Sequence, residues 1–310
     1  MTGVAPRIGL ALGGGGARGI AHIHVLAVLD ELGIAPSRIV GSSIGAIMGA
    51  GYAAGLSADE IGDYVTESFA DMPKVISRLW QTRPPSFQHF MADGGLRIGQ
   101  LNAERVVRVF LPGDLPETFE ELRTPLGVMA TDFYRRLECE LDSGDLFSAL
   151  AASAAIPAVF RPVKRQGRVL IDGGIYNPLP YDRLRDHADI LIACDVNGGP
   201  EGDPSVVPAT MEAMVGASQL MMQSIIDLKV KVAPPDVLVR PYVSPYRVLD
   251  FMRSGEILLA TLSIKDGLKR AIAGAIEAHE KGGENRSLAI VEGGTAHMIG
   301  AHGISNEAAE

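Results

Sequence analysis

A repeated corner constrains this chain more than any other feature. The apolar run Arg7-Ile-Gly-Leu-Ala-Leu12 stops at Gly13-Gly-Gly-Gly-Ala-Arg-Gly19. A helical pattern follows to Leu32, with Ala21, Val25, Val28, Leu29 and Leu32 on one face and Gly33 as its stop. Ile39-Val40 stops at Gly41-Ser-Ser43, and a helix of small residues runs from Ile44 to Ala54. The rhythm continues with apolar runs at 126–131, 136–141, 168–171, 188–196 and 237–240. Between and after them lie helical patterns: one opened by the capping box Ser57-Ala-Asp-Glu60, then 146–155, 211–230 and 254–279. Strands alternating with helices predict an α/β layered fold on a mostly parallel sheet, in one domain over residues 1–280.

Two segments break the rhythm. Residues 72–100 mix Pro73, Pro84 and Pro85 with Trp80, Phe87, Phe90 and Met91, as a lid or insertion would, or a surface excursion packed on the core. Residues 281–310 are polar and glycine-rich and are expected to form a loose tail.

Bulk properties remove whole classes of function. The net charge of -9 argues against nucleic acid as a partner, because phosphate binding wants a basic surface. The two cysteines, Cys139 and Cys194, lie in apolar runs without a disulfide framework, which predicts reduced core thiols and a cytoplasmic location. The apolar start is too short and glycine-rich for a signal peptide, and no window offers the ~20 apolar residues of a membrane span. The expectation is a soluble protein, peripheral to a membrane at most.

Gly41-Ser-Ser43-Ile-Gly45 matches G-x-S-x-G, with Ser43 in the centre and Ser42 as a packing or capping neighbour. A nucleophilic serine has to stand clear of the fold on a tight strand-to-helix turn, and the flanking glycines leave room for that turn. The helix beginning there aims its amides at developing oxyanion charge. The glycine loop before it admits two readings. Gly14, Gly16 and Gly19 satisfy a dinucleotide fingerprint, G-x-G-x-x-G, but the acidic residue wanted at the end of the second strand is replaced by Gly41-Ser42-Ser43. The other reading is an oxyanion hole of unobstructed amides. No histidine suits a serine triad: His22 and His24 sit in the first helix, and His187 precedes a strand. Asp172 follows Arg168-Val-Leu-Ile171 directly and is trailed by Gly173 and Gly174, which is either an ordinary turn or a carboxylate with open space around it.

Taken in order, GGGGARG at 13–19, GSSIG at 41–45 and DGG at 172–174, with ASAAIPAVF at 152–160 and NPLP at 177–180, resemble a bacterial patatin-like phospholipase over residues 7–200. The resemblance implies a three-layer α/β/α sandwich and a serine esterase acting on fatty-acyl esters of phospholipid or lysophospholipid. It implies Ser43 as nucleophile, Asp172 as proton acceptor and a loop of Gly14, Gly15, Gly16 and Arg18 at the oxyanion. Gly19, Gly41, Gly45, Gly173 and Gly174 match the motif glycines. It implies no cofactor and no metal. The alternatives are an acyltransferase, which a histidine beside Ser43 would favour, and a non-catalytic lipid-binding regulatory protein.

Three segments suggest where a lipid would lie. The methionine-rich helix with Met211, Met214, Met221 and Met222 suits a lipid groove or plain core packing. Arg161, Lys164, Arg165 and Arg168 suit a phospholipid headgroup or a solvated hairpin face. The aromatic stretch around Trp80 and Phe87 suits a membrane interface.

Overall fold

The computed structural model describes residues 5–71, 73, 75, 101–282, 288–293 and 295–299. The expected lid at 72–100 therefore lies almost wholly outside the described residues. Five parallel pairings build the sheet's centre from β1 (Ile8–Leu12), β2 (Arg38–Ser42), β3 (Leu126–Asp132), β7 (Ile190–Cys194), β8 (Val237–Arg240) and β9 (Leu288–Glu292). β4 (Leu137–Leu141), β5 (Val163–Arg165), β6 (Arg168–Asp172) and β10 (Thr295–Ile299) join antiparallel. The order runs β10-β9-β8-β7-β1-β2-β3, so the chain winds one way from β1 to β3 and the other way from β7 to β9. Such a reversal opens a crevice at the carboxyl ends of the strands, and the glycine loop leaves β1 at that point.

The central strands are buried on both faces, which explains their unbroken apolar runs. Ile8, Leu10 and Leu12 point into one core, and Ala11 points into the other. The first core is roofed by α1 (His22–Leu32), α2 (Ile44–Ala54), α3 (Ala58–Phe69), α5 (Leu146–Ser153), α7 (Ser254–Thr261) and α8 (Ile264–Glu280). The second is thinner. Leu179, Tyr181 and Leu184 cover it together with Ile226 and Val230 of α6 (Thr210–Val232). The expected α/β/α layering is present, with unequal outer layers.

Two expectations change, and one helix is added. Part of the loose tail is sheet: β9 pairs parallel with β8, and its Leu288, Ala289 and Val291 are buried. The unbroken apolar run Leu288-Ala-Ile-Val291, whose side chains alternate between the two cores, carries that strand despite the polar composition around it. The helix expected over 254–279 is two helices, α7 and α8, divided between Thr261 and Ile264. The helix α4 (Ala103–Phe110) is capped by the Asn102 side chain on the amide of Arg105 at 3.0 Å, and its Ala103, Val106, Val107 and Phe110 fall on one face at helical spacing.

β3 carries partners on both flanks. Its residues 128–132 pair with β4 on one side. Ile39 to Ser42 of β2 pair with 126–129 on the other, and Leu170 to Asp172 of β6 pair with 130–132. β6 therefore takes the flank that β2 vacates. The two strands meet head to head, with Ser42 opposite Met129 and Asp172 opposite Ala130.

Candidate active site

That head-to-head meeting brings Ser43 and Asp172 together. Ser43 Oγ donates a 2.7 Å hydrogen bond to Asp172 Oδ2. Both side chains are buried. Ser43 sits at φ 52°, ψ -121°, a strained conformation for a residue with a side chain. The strain persists because the corner is fixed on every side. The Ser43 amide donates to Ser153 Oγ at 2.8 Å, and its carbonyl accepts from the amides of Ala46 and Ile47 at the start of α2. At Gly45 the backbone presses on β1 so closely that a Cβ would lie 2.1 Å from the Leu12 carbonyl oxygen. Gly41 packs against the backbone of Gly45 and Ala46, and Gly19 against the Ile44 side chain.

Asp172 is held with equal care. Its Oδ1 accepts from the Gly174 amide at 2.7 Å, its amide donates to Ala155 at 3.1 Å, and its carbonyl accepts from Thr131 Oγ1 at 2.9 Å. Gly173 lies against the Met129 carbonyl, where a side chain has no room. Burial lifts the Asp172 carboxyl to about 6, against the opposing pull of hydrogen bonds from Ser43 and Gly174. A carboxylate so lifted is a stronger base than a solvated one, yet still ionised at neutral pH.

The glycine loop divides its labour. Gly13 donates to Cys194 O at 2.9 Å and Gly14 donates to Pro178 O at 3.0 Å, so both amides are engaged away from the reacting atoms. Gly14 instead gives its open face to Ser43, whose Cβ would stand 3.5 Å from a Cβ at Gly14. The amides of Gly15 and Gly16 have no partner among the described residues. Gly16, at φ 60° and against the Val248 carbonyl, tolerates no side chain. Arg18 departs from the expected oxyanion role. Its guanidinium is buried and donates to the carbonyls of Tyr246 at 2.6 Å and of Asn197 and Gly198 at 3.1 Å. It clamps the loops after β7 and β8 around the glycines.

His22 supplies a contact that motif reasoning missed. Its Nε2 lies 2.9 Å from the Gly13 carbonyl oxygen, which only accepts, so Nε2 carries the proton. Burial depresses the imidazole to about 4, and it stays neutral. It holds the first glycine of the loop.

Ser43 opens onto an apolar cavity of about 460 Å³. Ile44 and Ile47 of α2, Phe69 of α3, Phe110 of α4, Phe160 and Phe251 line it. Phe69 stacks on Phe110 at 5.4 Å and on Phe251 at 5.0 Å. Apart from Ser43, its polar side chains among the described residues are those of Ser68 and Tyr64. The methionine helix does not line it. In α6, Met214 and Met221 face solvent, while Met222 approaches the site beside Gly174. The basic cluster also disperses: Arg165 donates to the carbonyls of Asp145 and Ser143 at 2.8 Å, and Arg168 to Cys139 Sγ at 3.0 Å.

The model of the patatin-like phospholipase family matches residues 10–185, which include every residue of this dyad and loop. The chain belongs to the patatin-like phospholipase family. An uncharacterized NTE family protein of Mycobacterium tuberculosis is 33% identical over 225 residues, covering 70% of this chain and 58% of that protein. The human patatin-like phospholipase domain-containing protein 6 is 32% identical over 201 residues, covering 64% of this chain and 14% of that protein. The chain thus spans less than two thirds of these relatives' length. Among solved structures, human GIVD cytosolic phospholipase A2 aligns over 88% of this chain and 63% of its own, with a TM-score of 0.49 and 11% identity. In this patatin-like chain no helix among the described residues is long and apolar enough to cross a membrane.

Proposed function

We propose that this patatin-like protein hydrolyses fatty-acyl esters of lipids through a Ser43–Asp172 dyad. The observation that carries the reading is the 2.7 Å hydrogen bond between a strained, buried serine and a buried carboxylate, at the mouth of an apolar cavity. The acyl chain lies in that cavity with its carbonyl carbon over Ser43 Oγ. Attack forms the C–O bond as Asp172 Oδ2 takes the hydroxyl proton. The free amides of Gly15 and Gly16 receive the oxyanion, each such donor contributing about 10²- to 10³-fold. Collapse expels the alcohol, which takes its proton from Asp172. Water then attacks the acyl-serine with Asp172 again as the base.

Reaction with a fluorophosphonate that carries an alkyl chain tests the assignment. Labelling is expected at Ser43 in the native protein and lost in Ser43→Ala, together with hydrolysis of p-nitrophenyl acyl esters. An unlabelled native protein, or labelling that survives in Ser43→Ala, overturns the assignment. The transferase alternative lacks a supporting contact: the side chain that accepts from Ser43 is a carboxylate, and the nearby buried imidazole of His22 is bonded to Gly13.

A further inference from the structure

We propose that the tip of the β3–β4 hairpin, Phe133-Tyr134-Arg135-Arg136, docks the catalytic edge onto an anionic phospholipid bilayer; the proposal rests on the lipid-esterase reading above. β3 runs parallel to β2 and continues past the point where β2 ends in Ser42. With Ser42 opposite Met129, the tip projects roughly 10 Å beyond Ser43 along the strand direction. Five consecutive residues, Phe133 to Leu137, are exposed there, with Phe133 53% and Tyr134 75% accessible. The two rings meet edge to face at 5.1 Å.

This tip is built, not frayed. Phe133 donates to Val169 O at 2.9 Å, Arg136 to Asp132 O at 2.8 Å, and Arg135 to the Asp132 carboxylate at 3.1 Å. Arg136 occupies a left-handed position, φ 59°, that glycine or asparagine fills with less strain. The same edge of the sheet carries further exposed apolar residues. The loops leaving the carboxyl ends of β7 and β8 expose Val206, Val207, Tyr242 and Leu249, and Leu249 also lines the acyl cavity. Leu249 thus links the cavity to this exposed edge.

Charge selects the partner. The chain carries -9, but the tip carries two arginines, and the acidic residues beside them are occupied. Asp132 is buried, accepting from the Arg135 amide and facing the Arg135 guanidinium at 3.8 Å, and Glu138 pairs with Arg183. Arg136 has no ion pair among the described residues. Screening over about 8 Å means an anionic surface senses only what touches it. The tip is then attracted while the acidic body is held off, which orients the catalytic edge toward the lipid. Aromatic rings flanked by arginine suit the boundary between headgroups and acyl chains. A second copy fits poorly, because a two-fold contact at this tip sets the arginines of one copy against those of the other.

Co-sedimentation tests the proposal, with phosphatidylcholine vesicles alone and with added phosphatidylglycerol. The variants are Phe133→Ser/Tyr134→Ser and Arg135→Gln/Arg136→Gly, all at exposed positions outside the catalytic machinery. The native protein is expected to bind the anionic vesicles, each double variant to lose that binding tenfold or more, and the arginine variant to lose most of its salt sensitivity. Hydrolysis of a soluble short-chain ester is expected to stay unchanged in both. Equal vesicle binding by native and variant proteins overturns the proposal. So does a native protein that ignores vesicles while the tip variants alter its mass in sedimentation equilibrium, which assigns the tip to a protein contact. Tip-dependent vesicle binding without any ester hydrolysis overturns the esterase reading and leaves the docking surface standing.

Discussion

Asp172→Asn should cost the protein its activity and raise its stability. Asparagine keeps the shape, can donate to Ser43 Oγ, and can accept from the Gly174 amide, but it takes no proton. The hydrolysis rate is expected to fall by about 10²- to 10⁴-fold, the usual contribution of a positioned base. The stability gain follows from the same burial that makes the base strong. The carboxyl is lifted from an ordinary 3.8 to about 6, so the folded protein holds a proton there more tightly than the unfolded chain does. The associated stabilisation is complete below about 4 and is lost as pH rises through about 6. At about 1.4 kcal/mol per pKa unit, ionised Asp172 burdens the folded state by ~3 kcal/mol above neutral pH. Asparagine carries no such burden. Thermal melts should place the variant roughly 6 °C above the native protein at about pH 8, since each kcal/mol moves the midpoint of a chain this size by ~2 °C. The gap should close as pH falls through 6 and vanish near 4. Equal midpoints at high pH, or a gap that ignores pH, would refute the claim that burial strains this carboxylate.

The same ionisation should govern rate: kcat/KM on a soluble ester should climb about tenfold per pH unit up to about 6 and then level, and a profile flat down to about pH 4 would remove Asp172 as the base. Gly51 lines the cavity, and a Cβ there would make only ordinary contacts, at 3.5 Å to Ile61. Gly51→Leu should therefore shorten the preferred acyl chain, losing about fourfold per excluded carbon (~0.8 kcal/mol per methylene) while butyrate esters react normally. An unchanged chain-length profile would assign the chain to another surface. His22→Leu strands the Gly13 carbonyl and should lower kcat about 10- to 100-fold with a stability loss of about 1–3 kcal/mol, and His22→Gln should recover much of the rate. A kcat for His22→Leu equal to native would show that the loop needs no such hold.

The site was legible where backbone demand is written in side chains. Gly41 and Gly45 announce the corner at Ser43, because only residues of that size allow β2 and α2 to fold back on β1. Asp172-Gly173-Gly174 is equally local. Hydrogen-bond direction is not. The motif names Gly14 and Arg18 but cannot tell that Pro178 takes one amide and that four carbonyls take the guanidinium. The antiparallel entry of β6 was also hidden, since the short apolar run Val169-Leu-Ile171 carries no sign of its direction in the sheet. The cavity was the least visible element. Ile47, Phe110, Phe160 and Phe251 come from four distant segments, each of which looks like ordinary core until tertiary packing leaves a space between them. Methionine-rich α6 misled in the opposite sense, because adaptable side chains mark neither burial nor a groove by composition alone.

The meeting of β2 and β6 along one flank of β3 makes the proposed dyad a property of the finished molecule. The two halves of the dyad lie 129 residues apart in the chain and share no element. β3 serves both as a splint, and neither half is aligned until its own strand has seated there. Closing so large a loop is slow compared with forming the helices on either side. During refolding, helical signal should return first and esterase activity last, on the timescale of β3 docking. A chain with its helices formed but this seam open would carry Ser43 without its base, and the acyl esters around it would stay intact until folding is complete.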